Sequence, residues 1–398
     1  MISELDDLMA KSGYDALLVL GESTYSSAEL YYLVRAPVPR GGVYLKKRGS
    51  EPQLVVSTLD AACARKGIVS DVKTYSDYGL GQLQRRLGPG RAYAELIATV
   101  LKRAGVSGQV AVAGKTDALT TAYLVDFLRR RGFRVAGMPR PSFLDLCRRK
   151  KERWEAEAVV EAGRRTVKVV EKLEKILEYS DVRQGRITYE GKPLTTGFLR
   201  RSVMAWCGEE GLTLPEGLIL ASGPDSSDPH ASGLENKPLN PGEPLLFDIF
   251  PASEKGYRYD FTRTYCVGRP KPLLRRMFQD VLEAQTRAFE VVGEGVRCGA
   301  VFAEACRVLQ RRGWPTLLEA RSVDRGFIHG LGHGVGLTIG EEPYLSRDSQ
   351  TVISTGDVFT VEPGLYEPGF GGVRIEDVAM IEGGKTVKAV EHRYVLEF

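Results

Sequence analysis

The chain has 398 residues, 43% of them hydrophobic and 27% charged, with 55 basic against 51 acidic side chains. That length exceeds one ordinary core and predicts two domains of a soluble globular protein. A net charge of +4 marks neither a nucleic-acid-binding protein nor one that works at a membrane surface.

Residues 1–140 alternate helix and strand patterns. Ile2 to Lys11 reads as an amphipathic helix and Asp15 to Gly21 as a buried strand. Gly42 to Lys46 and Pro52 to Ser57 read as strands. Ala92 to Ala104 is helical, Gln109 to Val112 a strand, Ala118 to Arg131 a helix, and Arg134 to Val135 opens a short strand. Such alternation predicts a layered α/β domain. It contains neither a P-loop nor a G-x-G-x-x-G after a strand. Pro139, Pro141 and the basic run Arg148 to Lys151 punctuate the chain, so domains of 1–145 and 146–398 are expected. The N-terminus begins acidic and lacks the basic region of a signal peptide. Cys63, Cys147, Cys207, Cys266, Cys298 and Cys306 form no C-x-x-C pair and read as reduced thiols of a cytoplasmic protein.

The second part is expected to be α+β. Glu152 to Tyr179 and Leu194 to Glu210 read as helices, and Leu218 to Ala221 as a strand leading into a polar loop with His230. Arg275 to Gly293 and Gly299 to Gly313 read as two further helices. Between them Gly242 to Thr264 reads as strand, turn, strand. Pairing it about residue 254 sets Asp248 opposite Asp260, with Cβ atoms about 5 Å apart. Two carboxylates that close repel, and a cation between them removes the problem. A surface hairpin with its acids in water is the alternative.

In FIHGLGHGVGLTIGEEP, His329 and His333 stand among glycines at 330, 332, 334 and 336. Each glycine costs a helix about 1 kcal/mol, so strand or loop is expected, with the backbone closely approached. The last stretch, DVFTVEPGLYEPGFGGVRIEDVAMI, holds Glu362 and Glu376 inside apolar runs. A carboxylate there is costly unless something offsets its desolvation. Arg374 shares a face with Glu376 and reads as a partner for it or for a substrate carboxylate. Salt-bridged or half-exposed strand residues are the plainer reading. Two Asp, two Glu and one His form an oxygen-rich set that suits manganese, cobalt, zinc or iron(II).

The order Asp248, Asp260, His333, Glu362, Glu376 resembles that of the pita-bread metallopeptidases, and DFTRT, GHGVG, VEPGLY and GGVRIED look like their signature segments. The resemblance covers roughly residues 150–398. Residues 1–140 look like the N-terminal domain of the prolidase, aminopeptidase P and creatinase branch. Methionine aminopeptidase lacks that domain, and creatinase lacks the metal ligands.

The resemblance implies a C-terminal pita-bread catalytic domain preceded by a smaller α/β domain. It also implies two divalent ions, manganese foremost. Asp248 would chelate one ion, Asp260 and Glu376 would bridge both, and His333 and Glu362 would complete the site. A bridging hydroxide would attack the peptide bond before proline in a short peptide. Glu362, His230 and His329 would be catalytic, and His230 and His329, with Arg374, would contact the substrate. A cytoplasmic homodimer, with neither nucleic acid nor membrane as partner, is the expected setting.

Three departures stand out. The two aspartates are one residue further apart than is usual, Phe250 replaces a glycine, and the family's second pocket histidine falls on Gly340. The last makes a non-proline amide substrate, or a catalytically silent binding protein, the alternative.

Overall fold

The computed structural model describes residues 2–233 and 236–398. They form two compact units, the first running to Arg148 and the second from Arg149 to Phe398.

The first unit is built on a six-stranded sheet in the order 71–74, 53–56, 42–47, 16–21, 109–115, 134–136. Its central strand, Ala16–Gly21, is the apolar run ALLVLG, as a strand covered on both faces requires. That strand pairs antiparallel with Gly42–Lys47 and parallel with Gln109–Lys115. Helix Pro89–Arg103 contributes Leu96, Ile97, Val100 and Leu101 to one core with Leu18, Leu20 and Val110. Sequence periodicity missed several short elements here. Helix Ala28–Val34 has only seven residues and is fixed by Ser27, whose side chain accepts from the Leu30 amide. Strand Asp71–Thr74 is a four-residue, mostly polar strand at the sheet edge, too short to show alternation.

The second unit begins with the 26-residue helix Arg153–Glu178, opened by a capping box between Glu152 and Glu155. A three-stranded sheet orders Leu218–Ser222, Leu245–Ile249 and Phe261–Tyr265. A five-stranded sheet orders 339–345, 332–335, 358–361, 377–382 and 385–388, and Gly364–Glu367 pairs with Gly371–Arg374. Helices Pro272–Val291 and Cys298–Arg311 bury Met277, Val281, Ala284 and Phe302 in one core with Phe359, Val361, Ile375 and Ala379. No described helix is long and apolar enough to cross a membrane.

The 245–265 hairpin corrects one expectation. Asp248 lies opposite Thr262, not Asp260. The turn decides this. Ser253 and Tyr257 close a three-residue loop with Gly256 at φ +75°, which centres the pairing on residue 255. Asp260 therefore sits just ahead of its strand, diagonal to Asp248.

Charged groups tie the C-terminal segment to this unit. The Arg263 side chain is fully buried and donates to Asp377 Oδ1 (2.7 Å), the Glu376 carbonyl (2.7 Å) and the Thr262 carbonyl (3.0 Å). Glu174 accepts from Tyr265 (3.0 Å), from Arg393 Nε (2.9 Å) and from His392 Nε2 (2.9 Å). Burial alone would raise the Glu174 carboxyl, but the bonds from His392, Arg393 and Tyr265 outweigh it and hold its pKa below the ordinary 4.5. A depressed carboxyl pKa adds stability that is present above the unfolded-state pKa and is lost as pH falls through the folded one. Glu174→Gln should therefore lower Tm most near neutral pH, and the gap to wild type should close as melts are taken from about pH 7 towards about pH 3. A gap that stays constant over that range would contradict this origin.

Candidate metal centre

His230 lies in a turn after Gly223–Ser227, and the other acids and imidazoles singled out in the sequence sit in or near a strand. Asp248 lies in Leu245–Ile249, whose five residues are all buried. Asp260 directly precedes Phe261–Tyr265, and Glu362 directly follows Val358–Val361. Glu376 lies in the two-residue link between Gly371–Arg374 and Asp377–Glu382. His333 is in Gly332–Val335, and His329 precedes that strand in non-helical backbone. The glycines around His333 are explained by neighbouring strands. A Cβ on Gly332 would lie 2.0 Å from the Thr360 carbonyl oxygen, and one on Gly334 2.2 Å from that of Glu342.

The structure brings all eight predicted residues to one cavity of about 360 Å³. His230, Asp248, Asp260, His329, His333, Glu362, Arg374 and Glu376 line it, with Ile219, Pro229, Phe250, Ile339 and Tyr344. One ligand-type atom each from Asp260, His333 and Glu376 lie within 4.8 Å of one another. His333 Nε2 is 3.7 Å from Asp260 Oδ2 and 3.4 Å from Glu362 Oε1.

The charge balance of this cluster is lopsided. Asp248, Asp260 and Glu376 are 6%, 4% and 2% exposed. Burial, then the neighbouring carboxylates, push the Asp260 and Glu376 carboxyls well above their ordinary range. Asp248 is also raised, first by burial, with Arg374 opposing. Arg374 answers part of the charge. Its Nη2 donates to Asp248 Oδ2 (2.5 Å), its Nε to Thr262 Oγ1 (3.3 Å) and its Nη1 to the Tyr366 hydroxyl (2.7 Å). Thr262 in turn donates to Glu376 Oε2 (2.7 Å). The second oxygen of each acid, Asp248 Oδ1 and Glu376 Oε1, is buried and accepts no hydrogen bond. An unpartnered buried carboxylate oxygen is expensive. Two of them beside Asp260, Glu362 and an imidazole fit divalent cations, whose ligands are such oxygens and nitrogens.

His329 is held apart from that cluster. Its Nδ1 lies 2.7 Å from the Gly330 carbonyl, so this nitrogen carries the proton. Its Nε2 then accepts from the Tyr366 hydroxyl at 2.9 Å. Burial pushes its pKa down to about 4, which leaves the ring neutral at pH 7. Burial also lifts the Tyr366 phenol to about 12. His230 is exposed, and its backbone amide donates to Asp228 Oδ1 (2.9 Å).

Thr262, Tyr366 and Tyr344 are the site residues that sequence reasoning missed. Only Thr262 left a signal, by sharing the period-2 face of Asp260. Tyr366 and Tyr344 look like core aromatics in the sequence.

A carboxylate-rich floor with one imidazole, set in this α+β fold, is the donor set of a divalent-metal hydrolase. The profile of metallopeptidase family M24 matches residues 157–382, more than half of the chain. The chain belongs to that family, which implies divalent metal ions. It is 35% identical over 181 residues to "Probable dipeptidase PepE" of Mycobacterium tuberculosis, a match covering 45% of this chain and 46% of that protein. It is 38% identical over 175 residues to the "Xaa-Pro dipeptidase" of Pyrococcus furiosus, covering 44% and 47%. The chain thus spans about half the length of the curated relatives it matches. The fold as a whole resembles that of the Xaa-Pro dipeptidase from Bacillus anthracis, with a TM-score of 0.81 at 22% identity over 100% and 99% of the two chains.

If buried like charge destabilises the metal-free site, Asp260→Asn should raise the Tm of chelator-treated protein by about 2–4 °C. The same variant should lose the further rise that manganese gives wild type. An unchanged Tm in chelator would contradict the charge argument.

Proposed function

We propose that this protein is a dinuclear-metal peptidase that hydrolyses the bond before proline in dipeptides or short peptides. The observation that carries the proposal is the pair of buried, unpartnered oxygens on Asp248 and Glu376. Asp248, Asp260, His333, Glu362 and Glu376 would hold the ions, with manganese first and cobalt, zinc or iron(II) also suited to the donor set. When bound, the ions supply Lewis acidity and an acidified water at neutral pH.

The chain's own residues do the rest. Arg374 and Thr262 fix one oxygen of Asp248 and one of Glu376, so the other oxygen of each stays aimed at its target. Glu362 keeps 16% side-chain exposure against 9% for Asp248 and 5% for Asp260. As the most exposed of these three carboxylates, it would take a proton from a cavity water and hand it to the leaving nitrogen. His329 has both ring nitrogens engaged and serves to hold Tyr366, leaving His230 as the imidazole that meets the substrate. Ile219, Phe250 and Ile339 also line the cavity and would offer apolar contact to a pyrrolidine ring. Names of relatives such as "Xaa-Pro dipeptidase" support the same bond preference.

Gly340 favours a second reading, cleavage of another small amide. It lies at φ +79°, in the left-handed region that favours glycine. Gly340→His separates the two readings, since a clear gain in Xaa-Pro cleavage would count against the non-proline substrate. Protein stripped by chelator should be inactive on Xaa-Pro peptides and regain activity with manganese, cobalt or zinc. Asp260→Ala and Glu362→Ala should each lose about a thousandfold or more in kcat/KM while remaining folded. Full activity in either variant would defeat the proposal.

A further inference from the structure

The strand pairing that carries His333 is loosely specified by its own backbone. Strand 332–335 meets strand 339–345 through Gly332 with Leu345, Gly334 with Glu341 and Val335 with Ile339, and the register shifts on both sides of Gly334. Bulged, glycine-rich pairs of this kind fix their register weakly. His333 depends on that register. Its Nδ1 lies 3.2 Å from the Gly334 carbonyl oxygen and 3.3 Å from the Gly340 amide nitrogen. Its Nε2 faces Asp260 and Glu362. The carbonyl is the partner that leaves Nε2 open to a cation, and the amide competes with it.

A buried ion pair pins the two strands at this point. Glu341, the residue paired with Gly334, accepts at Oε2 from Lys151 Nζ (3.0 Å). The Lys151 and Glu341 side chains are 1% and 5% exposed. Oε1 of Glu341 accepts from the Thr338 amide (3.0 Å) and hydroxyl (3.3 Å), which closes the turn between the strands. Lys151 is itself fixed just ahead of helix Arg153–Glu178, where its amide donates to the Gly356 carbonyl (2.8 Å). A Cβ on Gly336 would lie 2.6 Å from Glu341 Oε2 and 2.8 Å from Lys151 Cε, so the pair takes the space a side chain there would need.

A buried ion pair adds little net stability, and fixing a register is its best-attested use. We propose that Lys151 and Glu341 are positioning residues, whose ion pair sets strand 332–335 against strand 339–345 so that His333 presents Nε2 to the metal. Neither side chain lines the metal cavity. The inference rests on the reading above that His333 is a metal ligand.

Manganese affinity by calorimetry and the visible spectrum of cobalt-loaded protein test it. Lys151→Met should weaken manganese binding about 10–100-fold and change the cobalt spectrum. The double variant Lys151→Met/Glu341→Leu leaves neither charge buried alone, so its fold should hold while affinity and spectrum change in the same way. Glu174→Gln, a destabilising change outside the site, should alter neither. Wild-type affinity and spectrum in the double variant, or the same change in Glu174→Gln, would overturn the inference and leave the metal reading standing. No manganese uptake by wild type would overturn both.

Discussion

Four carboxylates share one cavity with a single arginine, and that imbalance organises the second unit. Asp248, Asp260, Glu362 and Glu376 come from strand ends far apart in sequence. Like charges at this separation repel, and burial removes the water that would screen them. Such a cluster persists only because the surrounding sheets and helices hold it. The core of helices 272–291 and 298–311 against strands 358–361 and 377–382 supplies that frame. Divalent cations held there would offset the repulsion that the acids otherwise impose on the fold.

The polar groups behind the acids form a continuous chain. Thr262 connects Glu376 to Arg374, Arg374 connects Asp248 to Tyr366, and Tyr366 connects to His329. Arg263, one residue on from Thr262, grips the backbone of Glu376 and the side chain of Asp377. Besides the Thr262 carbonyl, it also donates to the carbonyls of His392 and Arg393, so the C-terminal segment braces the link that carries Glu376. Buried arginine and acid pairs of this kind contribute through geometry more than through net energy. Removing one partner leaves a buried charge uncompensated, at a cost of about 3–5 kcal/mol.

Much of this is legible in the sequence because an acid inside an apolar run is conspicuous. LLFDIF, TVEPGLY and VRIEDVAM each announce a group that the core must accommodate. The glycines of GHGVG likewise announce a close approach, though not that the neighbours would be strands 339–345 and 358–361. What stays hidden depends on a single residue of register or on side-chain direction. The 245–265 pairing turns on where the loop is centred, and moving that centre from residue 254 to 255 changes the partner of Asp248 from Asp260 to Thr262. Tyr366 and Tyr344 carry no local pattern that separates a wall of the cavity from ordinary core. In the first unit, short elements such as 28–34 and 71–74 fall below the length at which periodicity speaks.

The central claim is that the buried acids exist to hold two cations. Native mass spectrometry of chelator-stripped protein titrated with manganese tests it most directly. The account predicts two ions per chain in wild type and a loss of ions in Glu376→Gln with the fold retained. A wild-type chain that stays folded and takes up no ion at saturating manganese would contradict it.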